Sequence, residues 1–194
     1  MHLRVILARP VPLRDWRPSL PPGDLRSICL HWTGGDYETV FPAYHFCLAG
    51  AHDPVVHHTH DLRENMRDVR GAPDEPYAAH TRGRNSWSIG VAVAAMRDAR
   101  PNDFGDAPIT AAQAEGLCVL AAGLARAYHI PPDAIRTHAE AALEDGYFGV
   151  AENERWDIAR LQPSSSPLAP DDALRTGAWF RARVTALLAN ERDG

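Results

Sequence analysis

Cysteine is scarce: Cys29, Cys47 and Cys118 are the only three, an odd number set in apolar surroundings. That excludes a disulfide framework and reads as buried thiols kept in a reducing compartment. Positive charge is not in excess either. With 20 basic and 25 acidic residues the formal charge is -5, which removes the basic footprint of a nucleic-acid-binding protein. No apolar run approaches the roughly 20 residues of a membrane-spanning helix. The stretch Met1 to Pro10 has too short an apolar region, broken by Arg4 and ended by Arg9-Pro10, to read as a secretory signal, so a cytosolic protein is expected. Nor is the composition that of a disordered chain. A 45% hydrophobic, 23% charged sequence of 194 residues matches one globular domain with a sizeable core.

What is present divides the chain by punctuation and period. Residues 1–24, with Pro10, Pro12, Pro18, Pro21 and Pro22 around Trp16, read as an irregular lead-in. Leu25 to Trp32 reads as a buried strand with Cys29 and His31 on one face and Ile28 and Leu30 on the other. Thr33 to Asp36 turns the chain. Strands are expected at Ala43 to Leu48 and Pro54 to His58, joined by the hairpin composition of residues 49–53, with residues 61–86 polar and irregular. Ser88 to Met96 is almost wholly apolar, as in a mid-sheet strand covered on both faces. Thr110 to Tyr128 is the clearest helix, opened by the capping-box spacing of Thr110 and Gln113 and stopped by Pro131-Pro132. Ile135 to Thr137 reads as a short edge strand delivering His138, and Ala139 to Glu154 as a long acidic loop of the kind that lines sites. Residues 163–167 read as a linker and Asp171 to Asn190 as a terminal helix. No internal repeat is present.

The chemistry concentrates between Arg136 and Asp157. His138 and Asp157, joined by His31 at the end of an apolar strand, form a candidate set of two imidazoles and a carboxylate, which suits zinc with a fourth position left open. Ten histidines mean that several have nothing to do with a metal. His57, His58 and His60 lack a nearby carboxylate or cysteine to complete a site and read as strand-end surface residues. Tyr44 and His45 must point to opposite faces, and Tyr44 is the one expected to look into the pocket of His31.

Taken together, His31-Trp32-Thr33, Tyr44-His45-Phe46, Asn85 with Ser88-Ile89-Gly90, Pro108 to Gln113, and His138 with Arg155-Trp156-Asp157 carry a family resemblance. In order and spacing, residues 25–162 resemble the zinc-dependent N-acetylmuramoyl-L-alanine amidases, the group that includes amidase-type phage lysozymes, cytosolic recycling amidases and peptidoglycan recognition proteins. The resemblance implies an α/β fold with a mixed central sheet flanked by helices, Zn2+ on His31, His138 and Asp157, and a groove for peptidoglycan or muropeptides. Residues 163–194 are then a linker and helix packed on the same domain. The implied reaction is hydrolysis of the amide between the muramoyl lactyl group and L-alanine.

Carried over position by position, the family's catalytic tyrosine falls on Tyr44 and its catalytic lysine on Arg155. The glutamate that some members carry in the central strand is Ala92 here, which excludes that variant of the mechanism. His80 resembles a groove-side histidine. Arginine cannot take up a proton, so Arg155 is expected to stabilise an oxyanion by charge alone. Proton delivery to the leaving amine then falls to Tyr44, Glu140 or a water at the metal. Two rivals accompany this reading: a recognition module that binds cell-wall fragments without cleaving them, and a zinc amidohydrolase for another amide. Two homes are compatible with it, a phage lysis protein (endolysin) and a cytosolic enzyme of muropeptide recycling. Oligomeric state is not legible in the sequence.

Overall fold

The computed structural model describes residues 10–16, 19–72 and 74–190. Six strands form one sheet: β1 (Val11–Pro12), β2 (Ser27–Trp32), β3 (Phe46–Ala49), β4 (Val55–His58), β5 (Ser88–Val93) and β6 (Ile135–Thr137), in the order β1-β4-β3-β5-β2-β6. The β1/β4 and β4/β3 pairs are antiparallel, and β3/β5, β5/β2 and β2/β6 are parallel. The sheet is therefore mixed, with β5 inside it and every β5 residue buried, as its unbroken apolar run requires.

Alternation along the strands gives the sheet two unlike faces. Ile28, Leu30, Phe46, Leu48, Ile89, Val91 and Val93 belong to the main core, with Leu117, Leu120 and Leu124 of helix α1 (Ala111–Tyr128). The opposite face carries Cys47, Ala49, Ala92 and Ala94, with Tyr44 packed against them. His31 pairs in register with Ala92, so the histidine stands on this second, small-residue face. A floor of short side chains leaves depth above it for a site.

Helix α1 begins where the spacing of Thr110 and Gln113 places it. Thr110 Oγ1 accepts the Gln113 N–H at 3.1 Å, and Gln113 Oε1 accepts the Thr110 N–H at 3.2 Å. Gln113 also donates Nε2 to the Ala94 carbonyl at 2.8 Å, which fastens the helix to the sheet. The helix ends at His129 in the left-handed conformation (φ 55°), just before Pro131.

Two expectations need correction. Val11 and Pro12 are not irregular: they pair with Val56 and Val55 as an edge strand, a place where proline's missing N–H faces away from the ladder. Of the lead-in, residues 1–9, 17 and 18 lie outside the described residues. The acidic stretch after His138 is not a loop throughout, because His138–Glu144 form helix α2. A second capping box starts it: Thr137 Oγ1 accepts from Glu140 N at 3.2 Å, and the Glu140 carboxylate accepts from Thr137 N at 3.1 Å.

Helix α3 (Pro170–Asn190) closes the fold, burying Ala173, Phe180 and Val184 in the main core. The proline- and serine-rich stretch before it is pinned by Arg160. That guanidinium donates to the carbonyls of Pro101, Ser164, Ser166 and Pro167 and pairs with buried Asp172 at 2.7 Å.

Candidate metal centre and active-site cleft

Parallel pairing of β2 with β6 sets His31 beside the start of α2. Leu30 pairs with Thr137, so the next residue of each chain, His31 and His138, emerges at the same end of the sheet. Their rings lie 4.8 Å apart, centre to centre. Asp157 comes to the same point because its carbonyl accepts the Ala139 N–H at 2.8 Å, tying it to the first turn of α2. The chain bends sharply there. Ile158 adopts φ 56°, a left-handed conformation that is unfavourable for a β-branched residue by about 1–2 kcal/mol.

The three side chains meet through one oxygen. Asp157 Oδ2 lies 2.9 Å from His31 Nδ1 and 3.3 Å from His138 Nδ1, while Asp157 Oδ1 accepts the Trp32 N–H at 2.8 Å. All three are buried. Burial, only partly offset by the hydrogen bond and charge of Asp157, pushes His31 down to about 4, so its imidazole is neutral at pH 7.

These residues fit a zinc ion. Their donor atoms lie within 4.8 Å of one another, and a tetrahedral ion with bonds of about 2.0–2.1 Å holds its ligand atoms roughly 3.3 Å apart. Neutral imidazoles and a carboxylate anchored by a backbone N–H are the donor chemistry such an ion takes. A second group, Cys29, His31 and His80, also has its donor atoms within 4.8 Å of one another. It lies beneath the first. Burial pushes the Cys29 thiol up to about 12, only partly countered by a hydrogen bond with Thr81, and Cys29 does not reach the cleft.

Above the centre opens a cleft of about 350 Å³ lined by Trp32, Phe41, Tyr44, His80, His138, Asn153 and Asp157, among others. Tyr44 faces it as expected, its ring 5.0 Å from that of His31 and its hydroxyl 3.4 Å from the Trp32 carbonyl. His45 does not line the cleft and accepts the Gly90 N–H on Nδ1 at 3.0 Å. His80 also borders the cleft, packed against His31 and His45.

Glu140 and Arg155 stand elsewhere. The Glu140 carboxylate caps its own helix and pairs with Arg181 of α3 at 2.9 Å, with its side chain buried between the helices, so its surroundings are those of a structural anion. Arg155 does not line the cleft, and its guanidinium reaches Glu152 at 3.4 Å. His57, His58 and His60 belong to no metal-type group among the described residues: His58 stacks on Phe46 and His60 pairs with Glu64. Sequence reasoning passed over Thr81 and Tyr147, whose hydroxyls lie 3.3 Å from His31 Nε2 and 3.1 Å from His138 Nε2. Only the fold brings them there; no local pattern marks either one. The three cysteines are buried and free, as read from their surroundings.

A sequence model of the N-acetylmuramoyl-L-alanine amidase family matches residues 21–157, most of the chain and all three candidate ligands. Among solved structures, the chain is similar to the N-acetylmuramyl-L-alanine amidase AmiD of E. coli in complex with anhydro-N-acetylmuramic acid-L-Ala-D-gamma-Glu-L-Lys, at 18% identity and a TM-score of 0.44, covering 66% of this chain and 54% of that one. It is also similar to AmpDh3 of Pseudomonas aeruginosa, at 18% identity and a TM-score of 0.40, covering 65% and 55%. The chain thus spans about half the length of these solved chains. No curated protein sequence matches it. With a match running from residue 21 through the last of the three candidate ligands at 157, the chain belongs to the N-acetylmuramoyl-L-alanine amidase family.

Proposed function

We propose that this chain hydrolyses the amide bond between N-acetylmuramic acid and L-alanine in peptidoglycan or muropeptides, with zinc held by His31, His138 and Asp157. The observation that carries the reading is the position of Asp157 Oδ2 between two histidine Nδ1 atoms at the floor of an open cleft, inside the segment that matches the amidase family. Zinc bound there supplies a Lewis acid that activates water at neutral pH and polarises the scissile carbonyl.

The protein's own groups divide the remaining work. The Trp32 N–H fixes Asp157 so that one carboxylate oxygen faces the two imidazoles. Tyr44, at the cleft wall beside His31, is the phenol placed to hydrogen-bond the substrate or to supply a proton to the leaving amine. Ala92 offers no carboxylate and Glu140 is held by Arg181, so neither supplies a general base. Phe41 and Trp32 give the cleft an apolar wall against which the lactyl and alanyl methyl groups can pack.

Incubating the zinc-loaded protein with purified peptidoglycan and with soluble muropeptides tests the reading. New L-alanine amino termini are the expected product; binding without new termini identifies a recognition module instead.

A further inference from the structure

The two candidate ligand histidines are held alike. Each turns Nδ1 toward Asp157 Oδ2 and Nε2 toward a hydroxyl: Thr81 Oγ1 at 3.3 Å for His31, and Tyr147 Oη at 3.1 Å for His138. A neutral imidazole carries its proton on only one nitrogen, and a buried N–H needs an acceptor. A carboxylate oxygen only accepts, so Nδ1 meets Asp157 as an N–H; an ion held between them would take the Nδ1 lone pair instead and leave the ring's proton on Nε2, where a hydroxyl has to accept it.

Both hydroxyl oxygens lie within hydrogen-bond reach of Nε2 and have lone pairs free to accept from it. Thr81 has one proton, and His80 Nδ1, at 2.9 Å, and the Cys29 thiol both border its oxygen. Whichever of the two takes that proton, Oγ1 is left to receive Nε2–H of His31. The backbone here is fixed, because Asn85 Oδ1 accepts the N–H groups of both His80 and Thr81, at 3.1 and 2.8 Å. Tyr147 is anchored by its own N–H to the Ala142 carbonyl at 2.8 Å, with the Arg82 guanidinium 5.9 Å above its ring. The chain past the end of α2 thus folds back to touch the residue that begins it.

We propose that Thr81 and Tyr147 are positioning residues for the metal: with zinc bound, their hydroxyls accept Nε2–H from His31 and His138 and so favour the tautomer in which both present Nδ1 as ligands. This rests on the metal-centre reading above. Partners in this position orient a ligand ring and raise its basicity, and their loss typically weakens metal binding by about 10–100-fold. A purely structural role for Tyr147 would reside in its ring, which phenylalanine keeps.

The test uses the full zinc-loaded chain titrated with a chromophoric chelator, together with nitrogen-15 NMR of its histidine side chains. Tyr147→Phe and Thr81→Val are expected to weaken zinc binding by roughly 10–100-fold, Thr81→Ser to recover most of the loss, and Tyr147→Phe to shift the His138 Nε2–H signal. Wild-type zinc affinity in both Tyr147→Phe and Thr81→Val, with His138→Ala losing the metal, overturns the positioning role alone. Zinc retained by His138→Ala overturns the metal-centre reading itself.

Discussion

His80 occupies the volume that a side chain at position 90 would fill: a Cβ built on Gly90 would lie 2.4 Å from Cγ of His80 and 2.7 Å from its Cβ. These are atoms at the root of the imidazole, not a flexible end, so a methyl group there has to displace the ring or the strand. Gly90→Ala should destabilise the fold by about 1–3 kcal/mol. In a chain of this size each kcal/mol lowers the melting temperature by roughly 2–4 °C, which a thermal scan resolves. His80→Ala in the same chain should recover part of the loss. An unchanged melting temperature in the single variant would show that His80 is not wedged as described.

Metal content gives the second prediction. The wild-type protein should carry about one zinc, and His138→Ala should lose most of it, as measured by elemental analysis. Chelation should abolish hydrolysis and restored zinc should recover it. The stripped protein should keep its far-ultraviolet circular dichroism, because Leu30, Leu48, Val91, Leu117 and Leu120 are fully buried in a core that needs no ion. Its melting temperature should nonetheless fall, since zinc binds the folded state selectively.

Glu140 and Arg155 should behave unlike catalytic groups. Removing the Glu140 carboxylate leaves Arg181 without its buried partner, so Glu140→Ala should cost about 3 kcal/mol or more of stability while turnover per folded molecule stays near wild type. Gly177 supports the same contact: a Cβ there would lie 1.8 Å from Glu140 Oε2. Arg155→Ala should keep its zinc and most of its activity. A rate loss on the order of a hundredfold would instead return Arg155 to the oxyanion role that the family resemblance implied.

The core, and the candidate ligand set that the fold brings together, are legible in strong local patterns. The unbroken apolar run of β5 has one good solution, a buried central strand, and Thr110 with Gln113 marks the start of α1 by spacing alone. His31 stands near the end of the apolar strand β2, and His138 directly follows the short strand β6. Helix α2 is not legible by period because its seven residues make only about two turns, although Thr137 and Glu140 repeat the capping spacing of α1. Strand β1 was hidden by its proline, which only an edge position tolerates. Arg155 is hard to read from sequence in either direction. All 20 basic residues of this chain are arginines, so arginine where relatives have lysine carries little information about chemistry at that one position. Thr81 and Tyr147 depend on contacts across the fold, and no periodicity reports those.

The Arg160–Asp172 pair yields a pH prediction. Burial alone would raise the Asp172 carboxyl, but the Arg160 hydrogen bond, the Ala169 N–H and the charges of Arg160 and Arg175 outweigh it and hold the group below its ordinary value. A carboxyl lowered in the folded state adds stability above its unfolded pKa, about 3.9, and that stability disappears as pH falls through the folded value. Asp172→Ala should therefore cost about 3 kcal/mol at pH 7, with a smaller difference from wild type in acid. Urea unfolding at pH 7 and at pH 3 measures this; an equal difference at both would remove the pair from the acid response.

His31 and Asp157 touch across 126 positions of sequence. An ion gripping both is thus also a clasp on a very long loop, and the closure entropy of such a loop is spent only once β2, β6 and the turn after α2 are all in place. During synthesis His31 leaves the ribosome long before its partners exist. The growing chain has no site to load until Asp157 has emerged and docked, so zinc capture would follow assembly of β2, β6 and α2, and truncation before Asp157 should give a chain that takes up no metal at this centre.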